Sequence, residues 1–112
     1  MNFGDVVEVD FGNPLGSEAG FVRPAVVVTA DAFLHYRPNT VFAVPLTSTV
    51  RSFPSHVEVP ADPANGLTVT SYALVEQLRA VAVERCSTTI GNIGPVRGHQ
   101  ILGVLAMITG MR

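Results

Sequence analysis

The stretch DVVEVDFGNPLGSEAGFVRPAVVVT, residues 5–29, decides the fold because it joins two different strand patterns through one loop. In its first part, Val7, Val9 and Phe11 alternate with acidic residues, which predicts a strand with one solvated face. Its last part, Ala25–Thr29, is continuous and rich in β-branched residues, a pattern typical of a strand buried on both faces. The sequence therefore predicts a sheet that is built outward from this pair of strands.

The loop between these strands, residues 14–25, holds more chemistry than a turn requires. The segment Gly16–Gly20 contains two glycines and a carboxylate, and it predicts a flexible cover. Pro24 fixes its own φ and restricts the backbone of Arg23 to extended geometry. Arg23 is thus predicted to be mounted rigidly at the start of a strand.

The rest of the chain predicts further short strands and a final helix. Strands are predicted at 40–46, 56–59 and 67–77, a bend followed by a short strand at 78–83, a hairpin turn at 65–66, and turns or short helical segments at 31–36 and 88–92. Gly94 and Pro95 predict a helix start, and apolar residues then recur at helical spacing up to Ile108. We expect one α+β, mostly β domain over residues 1–112, a barrel-like sheet of five or six strands with a C-terminal helix.

Composition excludes several classes of function. The net charge of −2 argues against nucleic-acid binding through bulk charge, although a local basic site is compatible with it. A single cysteine, Cys86, excludes an internal disulfide, and three scattered histidines give no metal-binding spacing, so no metal or other cofactor is expected. No apolar run approaches the ~20 residues of a membrane span, and the N-terminus does not read as a signal peptide, so a cytoplasmic protein is expected.

Arg23 and the hydroxyl pair Thr47-Ser48 are the strongest candidates for chemistry, because each lies where a predicted strand meets a loop. A guanidinium can hold two oxygens of a phosphoryl transition state, and a hydroxyl adds another donor. RNA carries its own nucleophile, the 2′-hydroxyl, so such a site needs neither a metal nor a covalent intermediate. The spacing alone favours a structural role, in which Arg23 caps a carbonyl group and the hydroxyl pair turns the chain. His56 is open in the same way, as a general base or as an ordinary surface histidine.

Five blocks of sequence occur in an order that resembles one known family, the MazF/PemK toxin endoribonucleases. They are Gly4-Asp5-Val6, Gly16-Ser17-Glu18, Arg23 to Val28, Pro45-Leu46-Thr47-Ser48 and Glu76-Gln77-Leu78-Arg79. The resemblance runs from Gly4 to the final helix. It implies a small SH3-like β-barrel of the CcdB/MazF type with a C-terminal α-helix.

The resemblance also implies an activity and partners. Members of the family form homodimers and cleave single-stranded RNA, usually mRNA, at short sequences without a metal. The products are a 2′,3′-cyclic phosphate and a 5′-hydroxyl, and rRNA or tRNA are further possible targets. A cognate antitoxin neutralises such a toxin, and its acidic, disordered tail is expected to fold along the RNA groove.

Site residues follow from the same resemblance. The catalytic arginine and threonine of the family fall on Arg23 and Thr47, and we favour an electrostatic role for Arg23 because a guanidinium does not give up its proton in proteins. The residues expected to bind RNA are Gly16, Ser17, Glu18, Ser48, Arg51, Phe53 and Gln77. Among these, Phe53 is open between stacking on a base and filling the edge of the core, and Gln77 is expected to contact a base.

Two other functions fit the same fold. One is a gyrase-poison type of toxin that binds a protein target, but the tail Ile108 to Arg112 lacks the aromatic ending expected of it. The other is a catalytically silent binding module. The joint presence of Arg23, Thr47 and Ser48 argues against the silent module.

Overall fold

The structure is a computed structural model that describes residues 1–50 and 52–111, and it is mostly β as predicted. Its strands are β1 (Asp5–Asp10), β2 (Val22–Val27), β3 (Thr40–Thr47), β4 (His56–Val59), β5 (Ser71–Leu74), β6 (Arg79–Ala82) and β7 (Cys86–Asn92). Its α-helices are the single turn α1 (Asp31–Leu34) and the C-terminal α2 (Gly94–Ile108).

The seven strands form one antiparallel sheet in the order β4-β5-β3-β2-β1-β7, with β6 also paired to β3. Within the described ranges no ladder joins β4 to β7, so the sheet is barrel-like without being closed. The prediction of a small, mostly β fold with a C-terminal helix is confirmed.

The second half of β2 is buried on both faces, as the apolar run predicted, although the strand is Val22–Val27 and not the predicted 25–29. Val26 belongs to a core cluster that also contains Ile101 of α2. Ala25 and Val27 belong to a second cluster on the opposite face, together with Val9 of β1. The sheet therefore has an apolar layer on each side, and the start of β2 emerges from between the two layers.

Strand β3 pairs with β2 along one edge and with β6 and then β5 along the other. Its ladder with β2 runs from Val27↔Ala43 to Ala25↔Pro45, whereas Thr47 pairs with Tyr72 of β5. The two strands thus part beyond Pro45, and this separation leaves space beside the start of β2.

Two predicted elements were wrong. The region 67–77 is a strand only at Ser71–Leu74, because the Asn65 side chain accepts a hydrogen bond from the Leu67 backbone N–H at 3.0 Å and holds that part in a loop. The region 88–92 is part of β7 rather than a turn, because its backbone pairs with the free edge of β1.

Helix α2 begins at Gly94 with Pro95 in its first turn, as predicted. Ile101 is fully buried against the sheet, whereas Leu102 and Ile108 are 38% and 41% exposed. The apolar face of the helix is therefore only partly covered within this chain. None of the helices in the described ranges is long and apolar enough to cross a membrane.

Candidate functional site

The separation of β2 from β3 forms a cleft of about 540 Å³ that we call the Arg23 cleft. It is lined by Glu8, Arg23, Pro24, Leu46, Thr47, Ser48, Thr49, Gly66, Leu67, Thr68, Val69, Ser71 and Ile90. Its volume lies in the range of ~300–1,000 Å³ that is usual for ligand sites. The cleft brings together the three residues that the sequence had singled out for chemistry, Arg23, Thr47 and Ser48.

Arg23 is half-buried and is held by one hydrogen bond. Its Nε donates to the carbonyl oxygen of Gly20 at 3.0 Å, which is the carbonyl cap that the residues alone allowed. Among the described residues, its two terminal nitrogens have no hydrogen-bond partner. The cap therefore orients the guanidinium and leaves its outer edge available for an anion.

Thr47 lies at the end of β3, and the β2–β3 register, continued by two residues, would place it opposite Arg23. Its Oγ1 accepts a hydrogen bond from the backbone N–H of Thr49 at 3.2 Å. Because the hydroxyl acts there as an acceptor, its own proton is free to be donated. The next residue, Ser48, is exposed and adds a second hydroxyl to the same cleft.

Three of the residues expected to bind RNA, Ser17, Glu18 and Gln77, line a second cleft of about 610 Å³, which we call the Gln77 cleft. Its lining comprises Ser17, Glu18, Ala19, Pro45, Glu76, Gln77, Leu78 and Arg79. Pro45 and Leu46 are consecutive in β3 and line one cleft each, so the two clefts flank the same strand end.

The loop over the Gln77 cleft is held by side chains. The Gln77 amide accepts a hydrogen bond from the Ala19 backbone N–H and donates one to the Ser17 carbonyl oxygen at 3.1 Å. Glu18 accepts a hydrogen bond from the Leu15 backbone N–H at 3.0 Å, and Gly16 has a φ of +61°. The predicted flexible cover is thus tied down in this conformation, and both ends of the Gln77 amide are engaged by it.

Phe53 lies apart from both clefts. Its side chain is 61% exposed, and its ring centroid is 5.6 Å from that of His56. His56 in turn contacts Glu76, with 3.0 Å between Nε2 and Oε2. Phe53 therefore does not fill the core, and a stacking role stays a prediction. Arg51, also expected to bind RNA, lies outside the described residues.

Several lining residues of the Arg23 cleft were missed, notably Glu8, Thr68 and Ser71. Glu8 could have been predicted, because the alternation of β1 places its side chain on the solvated face, opposite to Val7 and Val9. Thr68 and Ser71 could not have been predicted, because the segment that contains them was predicted as one long strand.

The structure offers no metal centre in the part of the chain that it describes. Among residues 1–50 and 52–111, no group of three or more His, Cys, Asp or Glu side chains could hold a metal ion. Burial raises the pKa of the Cys86 thiol, which disfavours its reactive thiolate form.

Residues 2–109 match the family described as PemK-like, MazF-like toxin of type II toxin-antitoxin system. The chain is 35% identical over 106 residues to endoribonuclease MazF9 of Mycobacterium tuberculosis, covering 90% of this chain and 89% of that protein. It is 32% identical over 92 residues to endoribonuclease EndoA of Bacillus subtilis, covering 80% of this chain and 78% of that protein.

Solved structures share the fold. The crystal structure of MazF from Deinococcus radiodurans superposes with a TM-score of 0.83 at 23% identity, covering 98% of this chain and 96% of that one. A mycobacterial endoribonuclease in complex with its cognate antitoxin gives a TM-score of 0.78 at 24% identity, covering 100% and 97% of the two chains. By the match over residues 2–109 and by these relatives, the chain belongs to the PemK-like, MazF-like toxins of type II toxin–antitoxin systems.

Proposed function

We propose that this chain is an endoribonuclease toxin that cleaves single-stranded RNA and is neutralised by a cognate antitoxin. The observation that carries the proposal is the Arg23 cleft, which Arg23, oriented by its bond to Gly20, lines together with Thr47 and Ser48. Membership of a toxin family and the names of the relatives, endoribonucleases MazF9 and EndoA, support the same activity. We take residues 1–112 as one catalytic domain that works in the cytoplasm.

The proposed reaction is attack of a ribose 2′-oxygen on the adjacent phosphorus. The O2′–P bond forms, the P–O5′ bond breaks, and the products are a 2′,3′-cyclic phosphate and a 5′-hydroxyl. The proton of the 2′-hydroxyl goes to solvent and the leaving 5′-oxygen takes one from solvent, so the overall charge balances. The part of the protein is to bind the phosphate in line and to stabilise the charge that develops on it.

Arg23 and Thr47 carry this stabilisation. The Nε bond to Gly20 fixes the guanidinium plane, and the two terminal nitrogens bind non-bridging oxygens of the phosphate. Thr47 donates its free hydroxyl proton to the same group, and Ser48 adds a donor at the rim. Because a guanidinium does not give up its proton in proteins, Arg23 acts here as a fixed positive charge and not as a proton acceptor.

The proposed mechanism uses no metal ion. The arginine supplies the positive charge that a divalent cation would otherwise bring to the phosphate. RNA binding then extends from the Arg23 cleft to the Gln77 cleft, with Gly16, Ser17 and Glu18 covering the RNA and Gln77 contacting a base. Phe53 stacks on a base outside the two clefts, and Arg51 is a further residue that binds RNA. These assignments make cleavage sensitive to the short sequence that occupies the two clefts.

Two partners belong to the proposal. A cognate antitoxin binds the toxin over its RNA groove, in line with the antitoxin complex of the mycobacterial relative. A second copy of the chain forms a homodimer, for which the half-exposed apolar residues of α2, Leu102 and Ile108, provide surface. Light scattering of the purified protein tests the dimer, and a monomer at micromolar concentration would contradict it.

The activity is tested with a long single-stranded RNA in the presence of EDTA. The wild type should cut it at a limited set of sites and leave 5′-hydroxyl ends, and Arg23→Ala should cut at least ~100-fold more slowly. A wild type that leaves the RNA intact, or an Arg23→Ala variant that cuts equally well, would overturn the proposal. Cleavage that requires added Mg²⁺ would overturn the metal-free mechanism alone.

A further inference from the structure

Glu8 is a charged residue of the Arg23 cleft for which the proposed reaction has no use. It lies on β1, between β2 and β7, and both neighbouring strands also contribute lining residues. In the register of the sheet, Glu8 pairs with Pro24, the residue next to Arg23. A nucleotide whose phosphate is bound by Arg23 would therefore extend over the side of the cleft on which Glu8 lies.

The carboxylate of Glu8 is available to a ligand. Glu8 is half-buried, and among the described residues its side chain makes no hydrogen bond or ion pair; the bond that the Ser87 hydroxyl donates at 3.5 Å goes to the Glu8 backbone carbonyl. Apart from Arg23, it is the only charged side chain among the described lining residues of the cleft. A carboxylate repels the phosphate backbone of RNA, so its favourable partner is an N–H donor on a base edge.

The remaining lining fits a base. Pro24, Leu67 and Ile90 offer apolar surface for the face of a ring, while Thr68 and Ser71 offer hydroxyl groups at its edge. Proteins that bind single-stranded RNA by sequence use this combination of ring contacts and hydrogen bonds to the Watson–Crick edge.

We propose that Glu8 is a specificity residue that selects guanine at a position next to the scissile phosphate. This inference rests on the proposed function. Guanine presents two adjacent donors, N1–H and N2–H, that match the two oxygens of a carboxylate. Adenine and cytosine present an amino group beside a ring acceptor, and uracil presents one N–H between two carbonyl groups that the carboxylate repels. Glu8 touches the base and leaves the reacting atoms to Arg23 and Thr47.

The test maps every cut made in a long RNA of mixed sequence by sequencing the 5′ ends of the fragments. The wild type should show guanine enriched at one position beside the cut. Glu8→Gln, which retains only one acceptor, should lower that preference about 5- to 100-fold, the range expected for one bidentate pair. The total rate at the best remaining sites should change much less than the preference.

Glu84→Gln serves as the matched control, because it removes the same charge from an exposed site outside both clefts and should leave the cutting pattern unchanged. Two results would overturn the role of Glu8 alone: an unchanged set of cut sites in Glu8→Gln, or a uniform loss of rate at all sites. A wild type that does not cut RNA, or cuts it independently of Arg23, would instead remove the proposed function and this inference with it.

Discussion

The Nε of Arg23 donates to the carbonyl oxygen of Gly20 at 3.0 Å, so the last residue of the covering loop orients the guanidinium. Lysine at this position would keep the charge but would lose both the hydrogen bond that orients the side chain and the two terminal nitrogens that bind an anion in a bidentate way. We therefore expect Arg23→Lys to cleave RNA ~10²–10³-fold more slowly than the wild type, with little change in unfolding temperature. Single-turnover cleavage in EDTA measures this effect.

Arg85→Lys is the control for that substitution. Arg85 also donates to a backbone carbonyl, that of Asp10 at 3.2 Å, but it lines neither cleft. Its replacement should leave the rate unchanged. Near-normal cleavage by Arg23→Lys would show that a point charge is sufficient and would contradict a bidentate role.

Gln77 ties the covering loop to the sheet through hydrogen bonds to Ala19 and Ser17. Removing both bonds in Gln77→Ala should release the loop, at a cost of about 1–2 kcal/mol in unfolding free energy. The expected signature is faster hydrogen exchange at the Ala19 amide, with exchange in β1 and β2 unchanged. Gln77→Glu can still accept from Ala19 but cannot donate to Ser17, so it should give an intermediate rate of exchange. If Ala19 exchanged equally fast in all three proteins, Gln77 would not restrain the loop.

The sequence predicted the centre of the fold better than its outer parts, for physical reasons. The β1 and β2 patterns are local and strong, because the alternation or the continuous run of apolar side chains in consecutive residues indicates whether one or both faces of a strand are buried. Strand β7 was missed because Thr88 and Thr89 carry no apolar alternation, and only pairing with the edge of β1 makes them a strand. Likewise, no local pattern reveals that the β2–β3 ladder stops at Ala25↔Pro45 while β3 continues along β5 on its other edge, and the Arg23 cleft lies where that ladder stops.

In the candidate site, too, some features could be predicted from local sequence and others depend on the completed sheet. Arg23 and Thr47 were predicted as candidates from their positions at strand ends and from the family resemblance, and both line one cleft. The contacts of Gln77 with the loop span about sixty residues of sequence and depend on the completed sheet, so no motif could indicate them.

Gly66 is a position where the fold needs a glycine, on two counts. Its φ is +71°, and a Cβ there would overlap the carbonyl oxygen of Ile90 in β7. Since a backbone atom cannot move aside cheaply, Gly66→Ala should lower the unfolding free energy by about 3 kcal/mol. It should also weaken RNA cleavage, because Gly66 lines the Arg23 cleft.

Gly16 provides the comparison for Gly66, since its φ is +61° but a Cβ there would meet nothing within 4 Å. Gly16→Ala should cost only about 1 kcal/mol, the price of the left-handed backbone alone. Thermal or urea unfolding of the two variants separates the effects. Equal losses in both would mean that the contact with Ile90 contributes nothing.

Glu76 predicts a pH dependence of stability through its contact with His56. Partial burial raises the pKa of Glu76, but hydrogen bonds from His56 and from a backbone N–H outweigh this effect and lower it below the ordinary value of 4.5. A carboxylate with a lowered pKa adds stability above its unfolded pKa, and that stability is lost as the pH falls through the folded pKa. Above pH 4.5 the wild type should thus have a higher unfolding free energy than Glu76→Gln, and this difference should disappear as the pH falls below that value. Because the Glu76 side chain is 35% exposed, the difference should stay below about 1 kcal/mol.

Urea unfolding at a series of pH values measures this difference, and adding His56→Gln to both proteins should shrink it. A gap that widens below pH 4.5 would show that the carboxylate is not stabilised by this pair.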